Sequence, residues 1–346
     1  MSDLARDVHE SSIVIDGLFC HLDEPIPPTP DVPGMMFEHL IAAGVTAFNN
    51  TALPDSFPQT MEGALETLYG ANLLYDAFSD QVVPVLTTAD IALAKATGRV
   101  GMILGTQGLA CIGEDTRNLW VLYRLGVRIM QLTYNEHNAL GSGCMEPNDY
   151  GLTRRGQQAI EQIGVFGAVL DLSHVGARTS MDAIAYAKKP PVFSHVAVKH
   201  FNAHNRAVSD DHIRAMAEKG GVIGLCPHSI FIEREPGKRP TIEDYIDQIE
   251  YVAELVGTDF IGIGTDNFQT DNYFARRGRS SFARTLPTFF GGYSANEKHA
   301  EGFSKWRDWP NLTQHLLARG FSADDVSKIL GGNFLRVFAQ NWDQAS

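Results

Sequence analysis

The run FGAVLDLSHVG (166–176), read together with PVFSHV (191–196) just beyond it, decides the fold. Both are short and almost continuously apolar, as expected of parallel strands covered on both faces. Each closes on a histidine, His174 and His195. Six more runs of the same kind flank them: Ile13 to Phe19, Gly44 to Asn50, Val100 to Gln107, Val127 to Tyr134, Gly221 to His228 and Phe260 to Asp266. With Phe166 to His174 and Pro191 to His195, that makes eight strands. The intervening stretches Gln59 to Phe78, Leu152 to Ile163, Ser209 to Lys219 and Thr241 to Val256 carry apolar residues at three- and four-residue spacing, which predicts helices. Thr241 before Asp244, and Ser209 before His212, supply N-cap residues at two of them. Eight strands alternating with helices place the chain in the α/β class as a (β/α)8 TIM barrel.

Two regions break the rhythm. Pro25 to Pro33 holds prolines at 25, 27, 28, 30 and 33, which predicts an irregular loop. Gln269 to Asp308 is Gly- and Arg-rich and aromatic. Loops after barrel strands build the active-site face, so both are candidate lids. The expected organisation is one barrel domain over residues 1–346, with long loops at about 21–35 and 269–308.

Composition supports that reading. At roughly 150 residues per domain, 346 residues would suggest about two domains, but a large barrel also fits. Lys plus Arg is 28 against 41 Asp plus Glu, a net charge of −13, so no basic stripe for nucleic acid is expected. Hydrophobic residues at 44% and charged residues at 20% exclude disorder. No apolar run reaches the roughly 18 residues of a membrane span, and Met1 to Ser12 carries no signal-peptide core. A cytoplasmic protein with no membrane and no nucleic-acid partner is expected. Cysteines 20, 111, 144 and 226 show no CxxC spacing, which argues against a zinc ribbon or a thioredoxin motif and for reduced thiols.

Catalytic groups of a barrel come from the C-terminal strand ends. Here those ends carry Cys20, Gln107, Tyr134, His174, His195, His228 and Asp266. Neutral imidazoles on neighbouring strands can bind one metal ion. Period-2 alternation puts Gly262, Gly264 and Asp266 on one face, so two glycines beneath the carboxylate are expected to leave room in the barrel centre. Arg206, in NRAVSDD (205–211), either clamps a substrate carboxylate or pairs with Asp210 or Asp211.

These residues carry a resemblance. VIDG (14–17), RLGVRIMQLTYN (124–135), GLT (151–153), DLSHVG (171–176), FSHV (193–196), NRAVSDD (205–211), KGGVIGL (219–225), GIGTD (262–266) and ILGGNFLRVF (329–338) resemble the membrane (renal) dipeptidase family of the amidohydrolase superfamily. The likeness runs over almost the whole chain in order. It implies a metal-dependent barrel with two zinc ions, hydrolysis of dipeptides, an arginine on the substrate carboxylate, and a homodimer. His174 and His195 fall on the family's second-metal histidines, Arg206 on its carboxylate-binding arginine and Asp266 on its catalytic aspartate. The first-strand HxD pair, however, falls on Leu18 and Cys20, the bridging glutamate on Gln107, and the carbonyl-polarising histidine on Tyr134.

His21 and Asp23 form an HxD three residues later, but an odd shift turns side chains to the opposite face unless a bulge restores them. Two zinc ions would repel strongly without their anionic ligands. The expectation is therefore one zinc ion held by His174 and His195, with Gln107, Cys20 or Asp266 as third ligand; a site without metal stays open. Asp266 would move the proton, Tyr134 or Gln107 would stabilise the oxyanion, and Arg206 and Asn135 would bind a small amide or dipeptide-like substrate bearing a carboxylate. Two other readings remain: a barrel enzyme of another class, such as a lyase or decarboxylase, and a small-molecule-binding protein on a degenerate scaffold.

Overall fold

The structure is a computed structural model that describes residues 1–19, 31–53, 59–266, 293–294 and 297–343, with residues 31–35 described for their backbone alone. Eight parallel strands close a barrel: β1 Ile15–Phe19, β2 Ala47–Leu53, β3 Val100–Thr106, β4 Val127–Gln131, β5 Val169–Asp171, β6 Val192–Val198, β7 Val222–Leu225 and β8 Ile261–Ile263. Each pairs with its neighbours in chain order, and β8 returns to β1 through Asp16 beside Ile263. All eight expected strands are present. Two short strands were not anticipated: Val82–Val85, parallel to the start of β3, and Ala207–Val208, beside the end of β6.

The described helices include α1 Asp3–Ser11, α2 Asp31–Ala42, α3 Met61–Ala77, α4 Thr88–Thr97, α5 Asn118–Arg124, α6 Arg154–Phe166, α7 Ala177–Tyr186, α8 Asp210–Glu218, α9 Ser229–Ile232, α10 Ile242–Val256, α11 Trp309–Ala318, α12 Ala323–Ser327 and α13 Asn333–Trp342. The Thr241/Asp244 capping box forms at the start of α10, satisfying two of the helix's orphan donors. Ser209 precedes α8 but turns its hydroxyl to His212 Nδ1 at 2.7 Å rather than to a backbone N–H. Residues 20–30 of the proline-rich loop lie outside the described residues. Its last part is helical, not irregular, because α2 starts at Asp31 and places Pro33 in its first turn, where a missing N–H costs nothing. Most of 269–308 also lies outside the described residues. The part from 297 onward packs down, with Phe303 and Trp306 buried.

The barrel floor is apolar and full. Ile15, Ala47, Ile103, Ile129, Val169, Val192 and Val222 each come from a different strand, and Phe334, Phe338 and Trp342 of α13 close the floor from below. Phe334 fills the space that β8 leaves by carrying Gly262. The expected empty room under Asp266 is therefore not there. The space above Gly264 is taken as well, by the Ser194 carbonyl and the His195 Cβ. Strand β6 shifts register between Phe193 and Val196, and its Ser194 carbonyl presses against Gly17 in β1, Gly224 in β7 and Gly264 just past β8. Any Cβ at those three positions would collide with that carbonyl, so the glycines admit an inward bulge that carries His195 toward the barrel axis.

Candidate metal centre and active site

His174 lies three residues beyond the end of β5 and His195 lies within β6, both almost fully buried. Their Nε2 atoms face each other at 3.0 Å. His174 Nδ1 donates to Asn135 Oδ1 at 2.8 Å, which leaves its Nε2 as a bare lone pair. His195 Nδ1 lies 2.8 Å from Ser194 Oγ, and the Ser194 hydroxyl donates to Asp171 Oδ2 at 2.6 Å. With that proton committed, Ser194 accepts from His195 Nδ1, so the second Nε2 is bare too. Two lone pairs at 3.0 Å repel unless a cation lies with them. A shared proton does not answer the need. Burial and then the Arg206 guanidinium hold both imidazoles well below the ordinary histidine range. A carboxylate–hydroxyl chain behind a ring that presents a bare nitrogen is the usual support of a metal-ligating histidine. The donor chemistry of this pair fits a divalent ion.

The support behind His195 has a twin. Asp171 Oδ1 accepts from the backbone N–H groups of Ser173 and Ser194, each at 3.0 Å, and Ser173 Oγ accepts from His195 N–H at 2.9 Å. Asp16 Oδ1 accepts from Leu18 N–H at 3.3 Å and Thr265 N–H at 2.9 Å, and its Oδ2 from the Thr265 hydroxyl at 2.6 Å. Each buried carboxylate thus staples its own strand to a neighbouring one and fixes the residue immediately before a site residue, Ser194 before His195 and Thr265 before Asp266. Burial raises both carboxyls against these bonds, Asp16 to about 7.

Asp266 and His174 are the non-glycine residues with left-handed backbone among those described, at φ 51° and 62°. Such conformations cost of order 1–3 kcal/mol and persist where the surroundings enforce them, most often at functional sites. The Asp266 N–H donates to Leu18 O at 3.0 Å. Its side chain is 21% exposed and lies 4.0 Å from Lys298 Nζ. Desolvation is the largest single effect and opposes its ionisation, but Lys298, His195, His228 and Arg206 together outweigh it and hold the carboxyl far below the usual range.

Gln107 accepts from Thr51 Oγ1 at 3.3 Å, which turns its amide nitrogen toward His195 Nε2 at 3.5 Å. Tyr134 stacks on His174 with ring centroids 4.1 Å apart. Arg206 is buried, donates from Nη2 to the His195 carbonyl at 2.8 Å and lies over the Phe231 ring. That placement is beside the site, not in a surface pair with Asp210, whose carboxylate accepts from Tyr251. Asn135, expected at the substrate, accepts from the His174 ring. Cys20, His21 and Asp23 lie outside the described residues. Among the described residues no group of three His, Cys, Asp or Glu converges to hold an ion.

The structure thus brings His174, His195, Gln107, Tyr134, Arg206 and Asp266 to one end of the barrel. Sequence reasoning missed Asp171, Ser194, Asp16, Thr265, Thr51 and Lys298. For the first two a signal was present, a carboxylate three residues before one histidine and a hydroxyl immediately before the other.

A barrel with paired histidines and an aspartate at its strand ends is of the amidohydrolase type. The chain belongs to the membrane dipeptidase family, peptidase family M19, whose model matches residues 5–274 and 289–345. An amidohydrolase from Pseudomonas aeruginosa is similar over 98% of this chain and 99% of that one, at 33% identity and a TM-score of 0.84. The dipeptidase aclJ of Aspergillus oryzae is 30% identical over 264 residues, 75% of this chain and 56% of that protein. The chain spans a little over half the length of several curated relatives it matches. A metallo peptidase from Rhodobacter sphaeroides, solved with a phosphinate mimic of the dipeptide L-Ala-D-Ala, shares the fold at 17% identity and a TM-score of 0.77.

Proposed function

We propose that this protein is a metal-dependent hydrolase of small amide or dipeptide-like substrates that carry a carboxylate, and that it works with one divalent ion, zinc by family resemblance, rather than two. The observation that carries the reading is the pair of imidazole Nε2 atoms 3.0 Å apart, each ring with its Nδ1 on an acceptor of its own. His174 and His195 would hold the ion, with Gln107, Cys20 or Asp266 as candidate third ligand. When bound, the ion supplies Lewis acidity to water and to the substrate carbonyl.

The chain's own residues do the rest. Asp266, ionised beside Lys298, takes a proton from the attacking water. The new C–O bond forms as the carbonyl becomes tetrahedral. The Gln107 amide, already turned to the site, and the Tyr134 phenol donate to the developing oxyanion. Asp266 then returns the proton to the amide nitrogen, the C–N bond breaks and the amine leaves. Arg206 keeps one guanidinium arm on the His195 carbonyl and offers the others to a carboxylate.

The same reading takes residues 1–346 as one barrel domain. It keeps a homodimer, on family resemblance, which light scattering checks. It also keeps a cytoplasmic location, on composition, and small molecules as the partners. Among the described residues, no helix is long and apolar enough to cross a membrane.

The test is elemental analysis of the purified protein followed by hydrolysis of a dipeptide panel. The expected result is close to one ion per chain and turnover that falls about 10²–10⁴-fold in Asp266→Asn, the usual contribution of a general acid–base. Metal-free protein with no hydrolysis, unchanged in a His174→Ala/His195→Ala double variant, would sink the reading. Stabilisation by dipeptides without turnover would favour a binding protein instead.

A further inference from the structure

The one matched carboxylate at this site already has a cation. Lys298 is buried, donates from Nζ to the Asp266 carbonyl oxygen, and sits 4.0 Å from Asp266 Oδ2. Its segment is bolted in place. Ser229 donates from its N–H to Lys298 O at 2.7 Å and from its hydroxyl to Glu297 O at 2.6 Å. The Ala300 N–H reaches Pro227 O at 3.0 Å, and residues 228 and 299 form an antiparallel bridge. The neighbouring His299 donates from Nε2 to Thr265 O at 2.7 Å. Lys298 and His299 thus grip the consecutive carbonyls of Asp266 and Thr265, and this clamp enforces the left-handed turn at Asp266. A buried ammonium is costly unless an anion and hydrogen bonds satisfy it, so Lys298 and Asp266 hold each other.

Among the described residues, the negative groups around this pair are few. Leu18 is apolar, Gln107 is neutral, and Arg206 adds a second buried cation near the histidines. We propose that Lys298 is a positioning residue that stands in for a second metal ion: its fixed ammonium holds Asp266 at the site and its charge restricts the centre to one divalent ion. This rests on His174 and His195 binding that ion, as proposed above.

The test is a calorimetric zinc titration of chelator-stripped full-length protein, compared among wild type, Lys298→Met and Lys298→Arg. Wild type is expected to take one equivalent. Removing a cation whose field reaches His195 relieves repulsion on an ion bound there, so Lys298→Met should bind zinc about tenfold or more tighter, or admit a second equivalent. Lys298→Arg should match wild type. A side chain that merely packs gives the opposite sign, because its loss loosens the site. If Lys298→Met does not fold, Lys298→Gln, which can still donate to the Asp266 carbonyl, should show the same tightening.

Zinc bound equally or more weakly without the charge, two equivalents in wild type, or no binding by any variant would each overturn the proposal. Dipeptide turnover on the same samples separates the two readings. Tightened zinc binding in proteins with no turnover removes the hydrolase reading and leaves this one. Turnover with zinc binding indifferent to Lys298→Met does the reverse. Where turnover is present, Lys298→Met should lower kcat with KM within about threefold, since its loss misplaces the proton carrier and not the carboxylate grip.

Discussion

Ser194 shows how much of this site rests on groups that do no chemistry themselves. Its hydroxyl links Asp171 to His195, and that link decides which ring nitrogen is bare. Replacing Ser194 with Ala removes the acceptor for His195 Nδ1–H and lets the ring turn or change tautomer. Zinc affinity should then fall by about 10–100-fold while the fold persists, as read by titration and by circular dichroism. Unchanged affinity would mean that the relay is not what orients the ring. At this scale the sequence was legible only in part. His174, His195, Arg206 and Asp266 announce themselves by residue type at strand ends. Asp171 and Ser194 sit within the same motifs, but their roles depend on a contact that crosses between strands, with no local periodicity to reveal it. Lys298 is further hidden: it meets Asp266 across 32 positions of chain, from a segment that reads only as an irregular loop.

Elements obey the same logic. The eight barrel strands could be read directly from their apolar runs because a parallel sheet covered on both faces leaves a continuous signature. The short strands Val82–Val85 and Ala207–Val208 could not, since four and two residues are too few to show one. Gly264, one of the three glycines against the Ser194 carbonyl, carries a different message from the one its sequence position suggested. Two glycines under an aspartate look like space, but here Gly264 is a seat for the bulge of β6. A methyl group there meets backbone, which cannot rotate aside. Gly264→Ala should therefore cost at least the 1–3 kcal/mol typical of overpacking and should displace His195. The checks are denaturant unfolding and zinc affinity. A fully stable variant with intact zinc binding would show that β6 can relax outward without loss.

Over the whole molecule, burial of titratable groups sets a pH response. His9, His174, His195, His204, His212, His228 and His299 all have lowered values, first through desolvation, with His204 near 4 and His299 near 3. A histidine whose folded value lies below its unfolded one contributes fully above the unfolded value, near 6.5. That contribution is lost as pH falls toward the folded value, because the unfolded chain binds more protons in that window. For His204 alone the loss between pH 6.5 and about 4 is on the order of 3 kcal/mol. Asp16 and Asp171, raised by burial, act in the opposite sense and gain stability as pH falls, but they are two against seven. The melting temperature of metal-free protein should fall steadily from pH 7 to pH 4. A flat or rising profile in thermal scans would contradict the neutral, buried state of these rings.

A single ion between His174 and His195 would be visible by crystallography of zinc-loaded protein with data collected at the zinc edge. One anomalous peak per chain is expected, bonded to His174 Nε2 and His195 Nε2, with Lys298 still on Asp266. Two peaks within a few ångströms, or none between those two nitrogens, would contradict it.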